Sequence, residues 1–189
     1  MVNFYTVTKE IGGKEIKAQF NGISAGNKAI DNSYIDGSSN ISLEKLSKYI
    51  LENVIVEPRM RFEDFGADKI GAETTKEIGG VEYVAKFGGV LTAIRAVDTS
   101  YIDGTENTSV EKFSKYLFDK VIVKPKKLTA DDFETQSDFN EVVAFARETM
   151  QGGDIWNEFQ EIIAFGRKVM QGDFREEKDR VPTRTGSKE

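Results

Sequence analysis

The sequence predicts an α+β protein in which tandem duplicated ββαα units are followed by two amphipathic α-helices and a disordered C-terminal tail. Three observations carry this expectation. The segment Lys9–Pro58 returns without a gap as Lys76–Pro125, offset by 67 residues and identical at 27 of 50 positions. A shorter segment, Phe139–Gly152, returns as Phe159–Gly172, offset by 20 residues and identical at 8 of 14. The last fifteen residues, REEKDRVPTRTGSKE, are charged and almost without apolar side chains, so they cannot repay the entropy of ordering. The expected organisation is therefore a first ββαα repeat over 1–66, a second over 67–133, the duplicated helices over 134–174 and a tail over 175–189.

Each repeat opens with a hairpin signal. Tyr5, Val7 and Ile11 fall on one alternation, Gly12-Gly13 tolerates the positive φ of a tight turn, and Ile16, Ala18 and Phe20 return on one face. The second repeat keeps Gly79-Gly80 and the stripe Tyr83, Ala85, Phe87. Its leading strand, Ala72–Ile78, is poor in β-formers and is expected to be short or at an edge. Gly66–Thr75, polar and glycine-containing, reads as the linker between repeats.

A helix follows each hairpin. Val90, Leu91, Ile94 and Val97 share one helical face running to about Tyr101, whereas the first repeat carries Gly26 and Asn27 inside the same pattern and is the weaker helix former. The breakers Asp36-Gly37-Ser38-Ser39-Asn40 and Asp103-Gly104-Thr105-Glu106-Asn107 then end the helix. Ser42 and Ser109 can cap a second helix, with Glu44 and Glu111 in its first turn, where the helix dipole favours negative charge. Val54-Ile55-Val56 before Pro58, and Val121-Ile122-Val123 before Pro125, read either as an added strand or as continued helix; proline disfavours helical geometry in the residue before it.

The duplicated C-terminal segments each give a helical stripe: Phe139, Val142, Val143, Ala146 and Met150 in one, Phe159, Ile162, Ile163, Gly166 and Met170 in the other. Asp138 and Asp154 are the expected N-caps, and Gly152 and Gly172 the expected left-handed closures.

The composition narrows the function. Net charge is -6, no Lys/Arg cluster is large enough to hold nucleic acid or anionic lipid, and no apolar run approaches the roughly 20 residues that span a bilayer. The opening MVNFYTVTKE lacks the regions of a secretory signal, which points to the cytosol. With no Cys and no His, thiolate and imidazole nucleophiles and metal sites are excluded, leaving carboxylate, Lys and hydroxyl chemistry. The expectation is a non-enzyme with no catalytic residue, metal or cofactor.

The doubled Tyr-Ile-Asp-Gly at Tyr34–Gly37 and Tyr101–Gly104 does not make a calcium loop. With Asp36 as the fifth ligand position, the third and twelfth would be Tyr34 and Leu43, so the turn reading prevails. Gly88-Gly89 precedes a helix but lacks the Lys-Ser/Thr pair of a phosphate loop. Asp31, Asp36, Asp98 and Asp103 read as solvent-facing helix-end and turn residues rather than a carboxylate site. The candidate partner-binding residues are Phe139, Val142, Met150, Trp156, Phe159 and Ile162; together with Phe145, Phe165 and Met170 they either face a partner helix in an aromatic- and Met-rich groove or pack back on the ββαα units.

The run KFGGVLTAIRAVDTSY from Lys86 to Tyr101, then Val121–Pro125, Asp131-Asp132-Phe133 and FNEVVAFARETMQG from Phe139 to Gly152, resembles the small tail assembly chaperones of long-tailed phages of Gram-positive bacteria. The likeness runs from about Thr75 to Phe174 and, for the first repeat, over Lys9–Phe65. The tandem copies of unit and helix depart from that pattern. The resemblance implies a phage or prophage protein in the cytoplasm of the bacterial host, absent from the mature virion. Its implied partners are the helical tape measure protein, whose apolar surface it would shield, and the major tail protein it would help recruit. The alternatives are a structural tail or capsid component that self-associates through its repeats, and a carboxylate-dependent hydrolase.

Overall fold

In the computed structural model, which describes residues 4–174 and 181–182, each repeat forms a three-stranded antiparallel sheet with helices. In the first repeat β1 (Tyr5–Ile11) and β2 (Lys14–Phe20) make a hairpin closed by Gly12 and Gly13, whose φ values of 58° and 74° place both central residues in the left-handed region that a two-residue turn demands. Then come α1 (Ile23–Asp31) and α2 (Leu43–Tyr49), a wider helical turn over Ile50–Val54, and β3 (Ile55–Glu57). The second repeat gives β4 (Glu73–Ile78), β5 (Val81–Lys86), α3 (Val90–Asp98), α4 (Val110–Lys120) and β6 (Ile122–Lys124).

The two sheets share order and register. β3 pairs with β2 through Ala18↔Ile55 and Lys17↔Glu57, and β6 pairs with β5 through Ala85↔Ile122 and Val84↔Lys124, with an irregularity at the same step in both. The β-branched phrase before each proline is therefore a strand, and the unit is ββααβ. Helical geometry persists up to Val54 before the chain straightens. As expected, β4 is an edge strand with a mostly exposed face; order is β4-β5-β6. The first sheet, β3-β2-β1, continues into β7 (Val181–Pro182), which pairs antiparallel with β1 at Thr6↔Val181 and Tyr5↔Pro182. The rest of the predicted tail, 175–180 and 183–189, lies outside the described residues.

Two helices follow β6: α5 (Gln136–Gln151) and α6 (Asp154–Gln171). Four local expectations change. α6 begins at Asp154, so that residue is the first of the helix and not the cap before it. α3 stops at Asp98, short of Tyr101, where Thr99 and Ser100 turn their hydroxyls onto the carbonyls of Arg95 and Ala96. The N-cap of α5 is Thr135, not Asp138; the Thr135 hydroxyl accepts from the Asp138 amide and donates to the Asp138 carboxylate, so Asp138 sits one turn in. Residues 66–72 are more than a linker: Gly71 N–H donates to the Phe87 carbonyl and Phe87 N–H to the Ala72 carbonyl, which ties the segment to the end of β5.

The chain divides into two compact units. The first holds the described residues of Met1–Tyr34, Lys45–Arg61 and Glu158–Glu189; the second holds Ile35–Glu44 and Phe62–Asn157. In the first, Val7, Ile11, Ile16, Ala18, Ile50, Val54 and Ile55 form the buried layer with Phe159, Ile162 and Val169 of α6. In the second, the layer is Ile78, Ala85, Phe87, Ala93, Ile94, Leu117, Phe118 and Val121, with Val142, Phe145, Ala146 and Met150 of α5.

Candidate functional site

The two duplicated helices are where the sequence places its partner-binding stripe, and each proves to be the cover of one ββααβ unit. α5 lies against β4, β5, α3 and α4 in the second unit. In the first unit α6 contacts the elements at the matching places, and three pairs of contacts show the match. Lys76 Nζ lies 2.9 Å from Glu141 Oε1, and Lys9 Nζ lies 3.0 Å from Glu161 Oε1. The turn glycine Gly79 faces Asp138, and its counterpart Gly12 faces Glu158, a Cβ on either falling 3.1–3.2 Å from the acid. Phe87 abuts the α5 terminator Gly152, and Phe20 abuts the α6 terminator Gly172. The residues differ by 67 on the sheet side and by 20 on the helix side. The two sequence duplications are thus one structural duplication, a ββααβ sheet with its covering helix, in the chain order first unit, second unit, second cover, first cover.

Helix closures fit this packing. Gly152 adopts φ 64° and Gly172 φ 74°; a Cβ on Gly152 would lie 2.7 Å from Phe87 Cε2, so a larger residue is excluded by contact as well as by conformation. Gly26, which the sequence marks as a weak point of α1, is buried where a Cβ would lie 2.7 Å from the Met170 carbonyl oxygen. It is glycine because α6 ends against it. Gly166, opposite Ala146 in the helix alignment, lets α6 approach Ile50, whose Cγ2 occupies the space a Cβ would need.

Five of the six candidate residues fall on these inner faces; Trp156, in the first turn of α6, belongs to the residues of the second unit. Val142, Met150, Trp156, Phe159 and Ile162 are buried, and Phe139 is half-buried with its ring edge-on to Phe118 and Phe133 at 6.0 and 5.5 Å. Phe139 and Phe159 are equivalent, as are Val142 and Ile162, and each pair does the same packing in its own unit. The stripe is satisfied inside the chain, because the sheets supply the apolar surface that a partner would otherwise have supplied. In this state the stripe reaches another chain only if its helix lifts off.

The acidic residues are placed less uniformly than expected. Asp98, read as solvent-facing, is half-buried and caps the N-terminus of α2: its Oδ1 accepts from Leu43 N at 2.8 Å, and its Oδ2 from Glu44 N at 3.0 Å and Ser42 Oγ at 2.7 Å. Arg95, one turn before it, holds Glu44 with two hydrogen bonds of 2.9 and 3.0 Å, and the Glu44 bond raises the Arg95 pKa above its usual value. Asn40 donates to the Thr105 carbonyl at 2.7 Å. All of these residues belong to the second unit, although Asn40–Glu44 come from the first repeat. Asp103 pairs with Lys112 at the surface, and Asp31 is exposed. Gly37 and Gly104, at φ 75° and 76°, sit in equivalent turns closed by Ile35 N–H to Asn40 O and Ile102 N–H to Asn107 O.

Among the described residues, no group of three or more Asp or Glu side chains is placed to hold a metal ion, and no helix is long and apolar enough to cross a membrane. Comparison with protein-family models, with curated proteins and with solved structures finds no match to this chain.

Proposed function

We propose that the chain is a non-enzymatic tail assembly chaperone of a long-tailed phage or prophage, which binds the helical tape measure protein and helps recruit the major tail protein. The observation that supports this reading best is that the fold is a helix-holding device built twice. Each sheet carries one amphipathic helix whose Phe, branched aliphatic and Met side chains enter the same apolar layer, with an equivalent Lys–Glu pair at its flank in both units and a second pair, Lys14–Glu158, in the first. A tape measure helix with a similar stripe has the chemistry to take the place of α5 or α6 on a sheet, or to receive a stripe released from it. The contacts would come from Phe139, Val142 and Met150 on α5 and from Trp156, Phe159 and Ile162 on α6. The resemblance of Thr75–Phe174 to such chaperones supports the same class of partner.

Exchange of this kind requires a cover that binds well but not permanently. A full cover of several buried aromatic and aliphatic side chains, at about 25 cal/mol per Å² of apolar surface, is strong enough to hold the resting state and is matched by any partner helix of equal apolar area. Co-expression with the tape measure protein is expected to raise the soluble yield of that protein and to give a complex that co-purifies. Hydrogen exchange in α5 or α6 should change in the complex. No rise in soluble yield together with no complex overturns the proposal.

A further inference from the structure

The cap that Asp98 supplies has no counterpart in the other direction, and the residues for one are present. The repeat equivalents of Asn40, Ser42, Leu43 and Glu44 are Asn107, Ser109, Val110 and Glu111; those of Arg95 and Asp98 are Lys28 and Asp31. The first set and its receptor meet in the second unit. The equivalent set and the equivalent receptor stand open.

Burial and hydrogen bonding both show the difference. Asn40 is buried and Leu43 half-buried, whereas Asn107 is exposed and Val110 is 70% exposed. Asp98 is half-buried, whereas Asp31 and Lys28 are exposed and make no side-chain hydrogen bond or ion pair among the described residues. The Ser42 hydroxyl donates to Asp98, whereas the Ser109 hydroxyl, which accepts from Lys112 N, donates to no carboxylate among the described residues. The Val110 and Glu111 amides, which correspond to the two that Asp98 accepts from, have no acceptor among the described residues and are the orphan donors of the first turn of α4.

We infer that the Asn107–Glu111 face of one chain docks on the Lys28–Asp31 face of a second copy, repeating between chains the contact made by Asn40–Glu44 with Arg95 and Asp98 within one. Asp31 accepts from the Val110 and Glu111 amides and from Ser109. Lys28 takes the place of Arg95 opposite Glu111, with one charged contact instead of a fork, so the intermolecular contact is the weaker of the two. Val110 supplies the apolar contact. The occupant is a second copy because the receptor it needs is a repeat of the one already in use. The two faces differ, so the contact is heterologous and grows into a ring or an open chain of subunits. This inference stands apart from the chaperone reading, and neither depends on the other.

Sedimentation of the full chain over a concentration series up to about 1 mM, where even a contact worth roughly 4 kcal/mol is half formed, tests it. Asp31→Arg and Val110→Asp each block one face; the new charges suit a helix C-terminus and N-terminus respectively, so folding is preserved, as circular dichroism will verify. The wild-type chain is expected to self-associate, less so at high salt. Each variant alone is expected to stay monomeric. The two mixed are expected to form a one-to-one pair and nothing larger, since one variant keeps only the Asn107–Glu111 face and the other only the Lys28–Asp31 face. A wild-type chain that remains monomeric, association that survives either substitution, or a mixture that gives no pair overturns the inference.

Discussion

At the scale of single residues, the glycines that look like defects in the sequence are sites of close approach. Gly166 is the clearest case. Alanine would favour α6 by about 1 kcal/mol through helix propensity, yet its Cβ would overlap Ile50 Cγ2, a methyl on a stiff β-branched side chain that is fully buried. Gly166→Ala is therefore expected to destabilise the first unit by about 1–3 kcal/mol, as overpacking does, and urea denaturation followed by circular dichroism will read the loss. The sequence reading had Gly166 on the buried stripe but not why it is glycine while its counterpart is Ala146. That reason is a contact between residues more than a hundred positions apart, and no local pattern carries it. Asp98 was illegible for the same cause: Asp31 and Asp98 are identical letters in aligned positions, and only the fold gives one of them a helix to cap.

At the scale of elements, α2 depends on a cap from outside its own repeat. The first-turn amides of Leu43 and Glu44 have no acceptor within the helix, and the Asp98 carboxylate accepts from both. Asp98→Ala should cost about 1–2 kcal/mol and loosen α2, with faster hydrogen exchange at its first turn; α4, capped by its own Ser109, should be unaffected by the change. Element identity was largely readable. Hairpins announced themselves by alternation around paired glycines and the edge strand β4 by its lack of β-formers; the branched residues before each proline left strand and continued helix open, and only the fold shows β3 and β6. The partner of α5 and of α6 was not readable, because a stripe of Phe, Ile and Met is the same whether a sheet of its own chain or another protein covers it. One clue was available: Lys9 and Lys76 recur with the first duplication, and Glu161 and Glu141 with the second, so the two ion pairs could have been matched from the sequence.

At the scale of the whole molecule, stability should depend on pH at the alkaline end. Burial first, then neighbouring carboxylates, raise the pKa of Tyr83 and Tyr101; burial, and more weakly Glu44, raise that of Tyr116 against the pull of Arg95. A raised folded pKa means that the neutral phenol is favoured in the native state. The contribution is complete below the unfolded value near 10 and is lost as pH climbs through the folded values. All three tyrosines lie in the second unit, so its melting temperature is expected to fall above about pH 10 in step with tyrosinate absorbance. Asp132 has the opposite sign: hydrogen bonds from Thr129 lower its pKa, and what it contributes is lost as pH falls below the ordinary aspartate range.

The fold class and the repeat were open to sequence reasoning because turns, caps and alternation are local. The order in which the chain closes its two units was not, because the first cover arrives last, after the whole second unit has been made. The central claim is that α6 completes the first repeat and α5 the second, and native-state hydrogen exchange on the Phe159→Ala variant tests it most directly. Removing this buried ring should cost about 3–5 kcal/mol. Loss of amide protection in β1, β2 and β3, with β4, β5 and β6 unchanged, is the result expected; loss in β4–β6 with the first sheet still protected would contradict the account.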